Sequence, residues 1–250
     1  MHLVAIAELR GTVDAALGPL ASELGMLAYE LRLVLNAGFP AVVLASADEA
    51  AARRAFAAVE RLGHAAVVCD RRDVVASAAM TTLRAFEFAP DALIAHAGSA
   101  DRLPYDEIAV LVRAMHRRTT ETVEKIKERK FRPGMAIATG GLVMSKKTTR
   151  EVVTRTDQRE QVLYIFRRSG ASPWILRERS ALYGGLGADL RPSSFESFAA
   201  TVARVRMSAP GADYDERLMN SRPIRGVAVG VEAADIYAHL IALHLQSRSP

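Results

Sequence analysis

The sequence predicts an α+β fold, in which a small β-α-α-β-α-β unit is followed by an antiparallel sheet closed by one helix. Two observations support this prediction. In the first 70 residues, short apolar runs alternate with longer stretches whose apolar residues recur at helical spacing. From residue 82 onward, short apolar runs follow one another with turn-forming residues between them, a pattern typical of antiparallel strands.

The first unit covers residues 1–75. Its predicted strands lie at 3–7 (LVAIA), 41–45 (AVVLA) and 65–68 (AAVV), and its predicted helices at 14–24, 27–36 and 48–62. In the second helix, the apolar residues at helical spacing are Leu27, Leu31, Val34 and Leu35. Gly25 and Gly63 stand just past the first and third helices, where glycine is a common terminator.

The helical pair and the start of the next strand contain, in this order, Gly25, Glu30, Gly38 and Pro40. In this pattern, residues 3–70 resemble the C-terminal domain of the bacterial ribosomal stalk protein and the related Clp-protease adaptor fold. The resemblance implies a protein-docking module, with a purely scaffolding role as the alternative. Stalk domains recruit translation factors through lysines on the helical pair. This pair carries Arg32 and no lysine, so the resemblance extends to the fold and not to that function.

The second unit covers residues 82–208. Its predicted strands lie at 84–88, 92–96, 108–118, 161–168 and 174–178. Turn signals separate several of them, at Pro90-Asp91, at 98–101 and at 169–173. A helix then runs from Ser193 or Ser194, either of which can cap its start, to Met207. The apolar residues predicted to share its buried face are Phe195, Phe198, Val202 and Val205.

The segment ALIAHAGSADRLPYDEI, residues 92–108, resembles the first hairpin of bacterial PH-like domains, where a small-residue turn precedes Leu-Pro-aromatic-acid-acid-Ile. The resemblance covers residues 82–208 and implies an antiparallel sheet closed by the helix. Any other small α+β domain with one covered sheet face is the alternative. Residues 209–250 form a predicted extension with a packing helix at 231–245, which is apolar around most of its circumference. We expect this helix to pack on its own chain, with a second copy or a partner groove as alternatives.

Positive charge is concentrated in the middle of the chain. Residues 113–168 carry fifteen Lys or Arg against six Asp or Glu, a net charge of +9, whereas 1–112 carry −5 and 169–250 carry +1. All five lysines lie in this segment, within a predicted insertion at about 115–160. This asymmetry means that the net charge of the whole chain does not describe any one part of it.

Three interpretations of the basic segment compete. Phosphate binding at Thr139-Gly140-Gly141 is disfavoured, because the surrounding residues do not match the P-loop pattern. We favour a solvated hairpin that turns at Gly140-Gly141, with lysines that keep its edges soluble. The alternative is a surface that binds nucleic acid or another polyanion, formed by Arg117, Arg118, Lys125, Lys127, Lys130, Lys146, Lys147 and Arg150.

No residue pattern in the sequence indicates a catalytic, cofactor or metal site. The six histidines include no HExxH pair, and the single cysteine, Cys69, is predicted to be buried and inert. His96 is predicted to be a partly buried structural residue, and the glycine cluster at 184–187 a loop. The densest acidic group is predicted to be a surface turn with neutralising arginines, and it consists of Asp213, Asp215, Glu216, Arg217 and Arg222.

The sequence therefore predicts a non-catalytic protein-interaction or scaffolding protein with an unidentified protein partner and no cofactor. Binding of nucleic acid or an anionic surface through 113–168 is the alternative, and an enzyme of unrecognised type is the second alternative. An enzyme would be favoured by a cleft that gathers His96, Tyr105 or Asp106 with Arg177. The sequence shows neither a signal-peptide pattern nor a long apolar span, so we expect a cytoplasmic protein, and the oligomeric state is left open.

Overall fold

The structure is a computed structural model that describes residues 1–97, 99–131, 145–220 and 231–248, and their side chains except at 97, 99–100, 118–131 and 145–157. It confirms the α+β class. The chain divides into two compact units. The first unit consists of Met1–His116 with Glu160–Pro250, and the second is Arg117–Arg159. The first unit thus includes parts of both predicted domains and the predicted C-terminal extension, and the domain boundaries stay a prediction.

The described helices and strands have the following bounds. The helices are α1 (Val13–Leu24), α2 (Ala28–Asn36), α3 (Glu49–Arg61), α4 (Ser194–Ser208) and α5 (Val231–Gln246). The strands are β1 (His2–Glu8), β2 (Ala41–Ser46), β3 (Ala65–Asp70), β4 (Thr81–Thr82), β5 (Phe86–Phe88), β6 (Ala92–Ala97), β7 (Ser99–Pro104), β8 (Ile108–Phe131), β9 (Ser145–Arg167), β10 (Trp174–Arg177) and β11 (Asp213–Leu218).

The N-terminal part forms the predicted β-α-α-β-α-β order, with an antiparallel sheet of strand order β2-β1-β3. Side-chain caps set the helix starts. Thr12 Oγ1 accepts the Ala15 N–H at the start of α1, and Asp48 Oδ1 accepts the Ala50 N–H at the start of α3. One face of β1, with Val4 and Ile6, packs on the helices α1–α3. The other face of β1 is also buried, which explains why the sequence of this strand is a continuous apolar run.

A second sheet has the strand order β11-β8-β9-β10-β4. Its pair β9–β10 is antiparallel, but both of its outer pairs, β8–β11 and β10–β4, are parallel. One face of this sheet, with Leu111 and Ile165, is covered by α4 and by the antiparallel sheet β5-β6-β7. The Ser193 side chain caps α4 by accepting the Glu196 N–H and donating to the Glu196 carboxylate.

The helix α5 packs against the β2-β1-β3 sheet and the five-stranded sheet. Its side chains Ile236 and Leu240 share one core cluster with Leu3 on β1 and Val112 on β8. Eight consecutive residues of the helix, 235–242, are buried. This packing explains why the helix is apolar around most of its circumference: it has a sheet to bury against on more than one side.

Three sequence-based predictions are wrong in this region. The segment Asp213–Leu218 is an edge strand and not a surface turn, and a bulge between Asp215 and Leu218 removes the alternation that would have identified it. Residues 99–101 belong to β7 and not to a turn. Phe195 is exposed, because the buried face of α4 runs through Ser197 and Thr201 and turns away from it.

Candidate functional site

The second helix exposes large apolar side chains. It buries Leu31 and Leu35, which are one turn apart, against the core. Leu27, Tyr29 and Leu33 are instead 68%, 72% and 55% exposed, and we call these three residues the α2 surface. The sequence analysis counted Leu27 among the apolar residues at helical spacing within the helix, whereas in the structure Leu27 is the capping residue that precedes the helix.

Two of the three residues of the α2 surface are adjacent on the helix. Tyr29 and Leu33 are four residues apart on one helix, so their side chains are neighbours. Single exposed apolar residues are ordinary on protein surfaces, but adjacent ones of this size typically mark a contact site. In the sequence, Tyr29 and Leu33 form a second apolar series along α2, but helical spacing alone could not show that this series faces solvent.

Within the described part of the chain, the helical pair that carries the α2 surface has one unpaired carboxylate. The helical pair 13–36 contains Asp14, Glu23 and Glu30 but a single arginine, Arg32. Arg32 pairs with Asp14 at 2.8 Å, and Glu23 pairs with Arg61 of α3, so neither of these two carboxylates is free. Glu30 is exposed and has no ion-pair partner among the described residues. A partner that covers these apolar side chains would therefore meet the unpaired carboxylate of Glu30.

The residues predicted to bind a polyanion belong to the second unit. Arg117, the first residue of the second unit, lies in β8 and is half-buried. The remaining predicted residues have their backbone in the neighbouring strands β8 and β9, and their side chains are outside the described part of the chain. They are Arg118, Lys125, Lys127, Lys130, Lys146, Lys147 and Arg150. The predicted turn at Gly140-Gly141 also lies outside the described residues. Polyanion binding thus stays a prediction.

A buried polar network, which the sequence analysis missed, connects β8, β9 and α5. Tyr164 Oη donates to Asp235 Oδ1 at 2.7 Å and lies 2.6 Å from His116 Nε2. The single phenolic proton is used on Asp235, so His116 must donate from Nε2. The Ser77 N–H donates to Asp235 Oδ2 at 2.8 Å. These residues are far apart in the chain, and nothing in the sequence relates them.

Burial dominates the electrostatics of this network. It lowers the pKa of His116 to about 4, with a smaller contribution from the charge of Arg177. It also raises the pKa of Tyr164 well above its usual value, and the carboxylate of Asp235 adds to this effect. His116 is therefore a neutral donor and Tyr164 a neutral phenol at pH 7. This chain of hydrogen bonds connects α5 to β8 and β9, although His116 Nδ1 is buried without a hydrogen-bond partner among the described residues.

The structure does not assemble the cleft that would have favoured an enzyme. A cleft of about 700 Å³ is lined by Tyr105 and Asp106, but its arginine is Arg168. The Arg168 guanidinium donates hydrogen bonds to the backbone carbonyls of Asp106 and Gly211, and Tyr105 Oη donates one to the Ala89 carbonyl. These groups therefore already have hydrogen-bond partners within the protein. The two other residues of that prediction, His96 and Arg177, do not line this cleft.

The remaining candidate residues have ordinary surroundings. The His96 side chain is 48% exposed, beside Glu87, so the prediction of a partly buried structural histidine is wrong. Cys69 is buried, and burial raises the pKa of its thiol to about 11. Asp215 is paired with Arg217 at 2.7 Å, whereas Arg222 lies outside the described residues. Among the residues described, no group of three or more His, Cys, Asp or Glu could hold a metal ion, and no helix is long and apolar enough to cross a membrane.

Comparison of the chain with protein-family models, with curated proteins and with solved structures found no match. The resemblances to the stalk-protein domain and to PH-like domains accordingly stay predictions. A function therefore has to be inferred from the surface residues of the protein itself.

Proposed function

We propose that this protein acts by binding another protein and not by catalysis, and that the α2 surface contacts the partner. The observation that carries this proposal is the exposure of Tyr29 and Leu33 on one short helix and of Leu27 at its N-terminal cap. The exposed carboxylate of Glu30 on this helix, unpaired among the described residues, selects the chemistry of the partner. The partner segment should present apolar side chains flanked by Lys or Arg, since like charges across an interface disfavour association.

The expected interaction is weak. Full burial of each large apolar side chain contributes about 1.5–3 kcal/mol, and loss of translational and rotational freedom costs at least about 4 kcal/mol. For three side chains the surplus is at most about 5 kcal/mol, so the α2 surface alone supports a dissociation constant of a few hundred micromolar at best, which additional contacts would improve. Such an affinity suits a reversible docking step.

The test uses two labelled amphipathic peptides with identical leucines, one with lysines and one with glutamates on the polar face. Fluorescence anisotropy against the full chain should show saturable binding of the lysine peptide, weakened by salt, and no binding of the glutamate peptide. The double variant Leu27→Ser/Leu33→Ser should lose this binding. The matched control is Leu182→Ser/Leu190→Ser, which removes two exposed leucines elsewhere and should bind normally.

Three results would contradict the proposal. Equal binding of both peptides would show that charge does not select the partner. Retained binding in Leu27→Ser/Leu33→Ser would place the contact elsewhere. A concentration-dependent dimer in light scattering that the same variant abolishes would assign the α2 surface to self-association and not to a different protein.

A separate observation favours polyanion binding as a second candidate function. The second unit, 117–159, carries twelve Lys or Arg against five Asp or Glu, a net charge of +7, whereas the rest of the chain carries 21 against 23, or −2. Its described backbone belongs to β8 and β9, which are neighbouring strands. A two-stranded ribbon fits the major groove of DNA, and basic residues on it release counterions from phosphates.

Binding of labelled single- and double-stranded DNA at low and physiological salt tests this second candidate. The variant is Lys125→Ser, Lys127→Ser, Lys130→Ser, Lys146→Ser and Lys147→Ser combined. Affinity that persists at physiological salt and is lost in the variant supports polyanion binding. The double variant Arg53→Ser/Arg54→Ser, on α3, controls for general loss of positive charge and should bind normally. Binding that the lysine variant retains would contradict the proposal.

A further inference from the structure

A polar cleft of about 590 Å³ opens where β1 ends. Its walls are the segment 8–10, the turn between α3 and β3, and the C-terminal end of α5. This volume is within the range of clefts that hold small molecules, roughly 300–1,000 Å³. No part of the α2 surface lines the cleft, so it is a separate feature from the proposed docking site.

His64 presents a hydrogen-bond donor in this cleft. The residue is buried, and its Nδ1 accepts the backbone N–H of Arg10 at 3.2 Å. In a neutral imidazole the proton then lies on Nε2. Burial and the charge of Arg10 both lower the pKa of His64, which keeps the ring neutral. The Nε2–H has no hydrogen-bond partner among the described residues, and it is available to a ligand.

Arg10 contributes a positive charge that the surrounding acids do not neutralise. Its neighbour Glu8 is already occupied, because Glu8 Oε1 lies 2.7 Å from Arg248 Nη1 and 3.3 Å from His244 Nε2. These contacts, led by His244, lower the pKa of Glu8, which is therefore a carboxylate at pH 7. The guanidinium of Arg10 has no ion-pair partner within the described part of the chain. An unpaired guanidinium beside a neutral imidazole donor is a suitable receptor for a carboxylate or phosphate.

We propose that this cleft binds a small anion, a carboxylate or a phosphate, with Arg10 supplying the charge and His64 Nε2–H a hydrogen bond. Glu60 also lines the cleft and lacks an ion-pair partner among the described residues. Its carboxylate opposes a bound anion, so it limits the affinity. Arg10 and Glu60 thus have opposite effects on the affinity for the same anion. This opposition distinguishes a specific site from general attraction to the protein.

The test is an NMR titration of the full chain with acetate in one arm and inorganic phosphate in the other, each at constant ionic strength set with chloride. We expect saturable shifts of the His64 imidazole and of the Arg10 amide in at least one arm, and the arm identifies the anion. Arg10→Gln should weaken binding at least about tenfold, because a charge-assisted contact is lost. Glu60→Gln should tighten it about two- to fivefold.

Arg54→Gln is the matched control, since it removes an exposed arginine of α3 outside the cleft and should leave the affinity unchanged. Backbone amide spectra verify that each variant is folded. Shifts that rise linearly with concentration in both arms would overturn the proposal. So would an affinity that Arg10→Gln does not change, or one that Glu60→Gln weakens.

Discussion

The phenol of Tyr164 donates a hydrogen bond to the carboxylate of Asp235 at 2.7 Å, inside the core shared by β9 and α5. Tyr164 also accepts from His116, and Asp235 accepts the backbone N–H of Ser77. Buried polar groups contribute to stability only while each has its partner. The position of α5 in this core therefore depends on a small set of hydrogen bonds in addition to apolar packing.

Tyr164→Phe should destabilise the protein strongly. The change leaves the Asp235 carboxylate without its phenol donor and His116 Nε2 without an acceptor, both in a buried site. We expect the free energy of unfolding to fall by about 2–4 kcal/mol in urea titrations. Tyr29→Phe is the control, because Tyr29 is exposed, and it should change stability by less than about 0.5 kcal/mol. A loss below about 1 kcal/mol for Tyr164→Phe would show that the network contributes little.

Stability should fall as pH decreases below neutrality, owing to His116. Its pKa is about 4 in the folded protein and about 6.5 in an unfolded chain. Between these values the unfolded state binds the additional proton, so the contribution is complete above pH 6.5 and is lost as pH falls toward 4. The difference corresponds to about 3 kcal/mol.

Urea titrations between pH 7 and pH 4 measure this dependence. Part of the decrease will come from His64 and His239, because burial lowers their pKa values as well. His116→Gln should therefore have a shallower dependence than the wild type, whereas the exposed control His96→Gln should match the wild type. An unchanged dependence in His116→Gln would rule out this histidine as a major contributor.

Gly185→Ala should be far more damaging than Gly184→Ala. A Cβ at Gly185 would overlap the backbone carbonyl of Phe86, whereas a Cβ at Gly184 would meet no atom within 4 Å. Relief of this overlap requires the backbone to move, and we expect a loss of about 3 kcal/mol or more in thermal or urea unfolding. Gly184→Ala should stay within about 1 kcal/mol of the wild type. Similar losses at both positions would contradict the close approach of the two segments.

Cys69 should be unreactive until the protein opens. Its thiol is buried, and burial raises its pKa to about 11, so the reactive thiolate is scarce at pH 8. Labelling by a thiol-specific disulfide reagent should be slow in buffer and fast in denaturant, with a rate that follows the unfolded fraction. Rapid labelling of the native protein would show that β3 opens locally without global unfolding.

Local patterns in the sequence determined most of the helices and several strands. Asp48 caps α3 and Ser193 caps α4, and glycines follow α1 and α3, so these boundaries depend on residues close in the chain. The apolar runs of β1, β2 and β6 were also sufficient to identify strands. Cys69, which follows a run of apolar residues, was correctly expected to be buried.

Tertiary structure alone decided which face of an element is buried and which distant residues meet. Leu27 and Phe195 are as apolar as their neighbours, but they are exposed because no other element covers them. The partnership of Tyr164 with Asp235, 71 positions away, and that of His64 with Arg10 depend on how the sheets and α5 pack. Local propensity acts over a few residues of chain, whereas burial and hydrogen bonding depend on what packing brings together, and so both candidate sites became visible only in the folded chain.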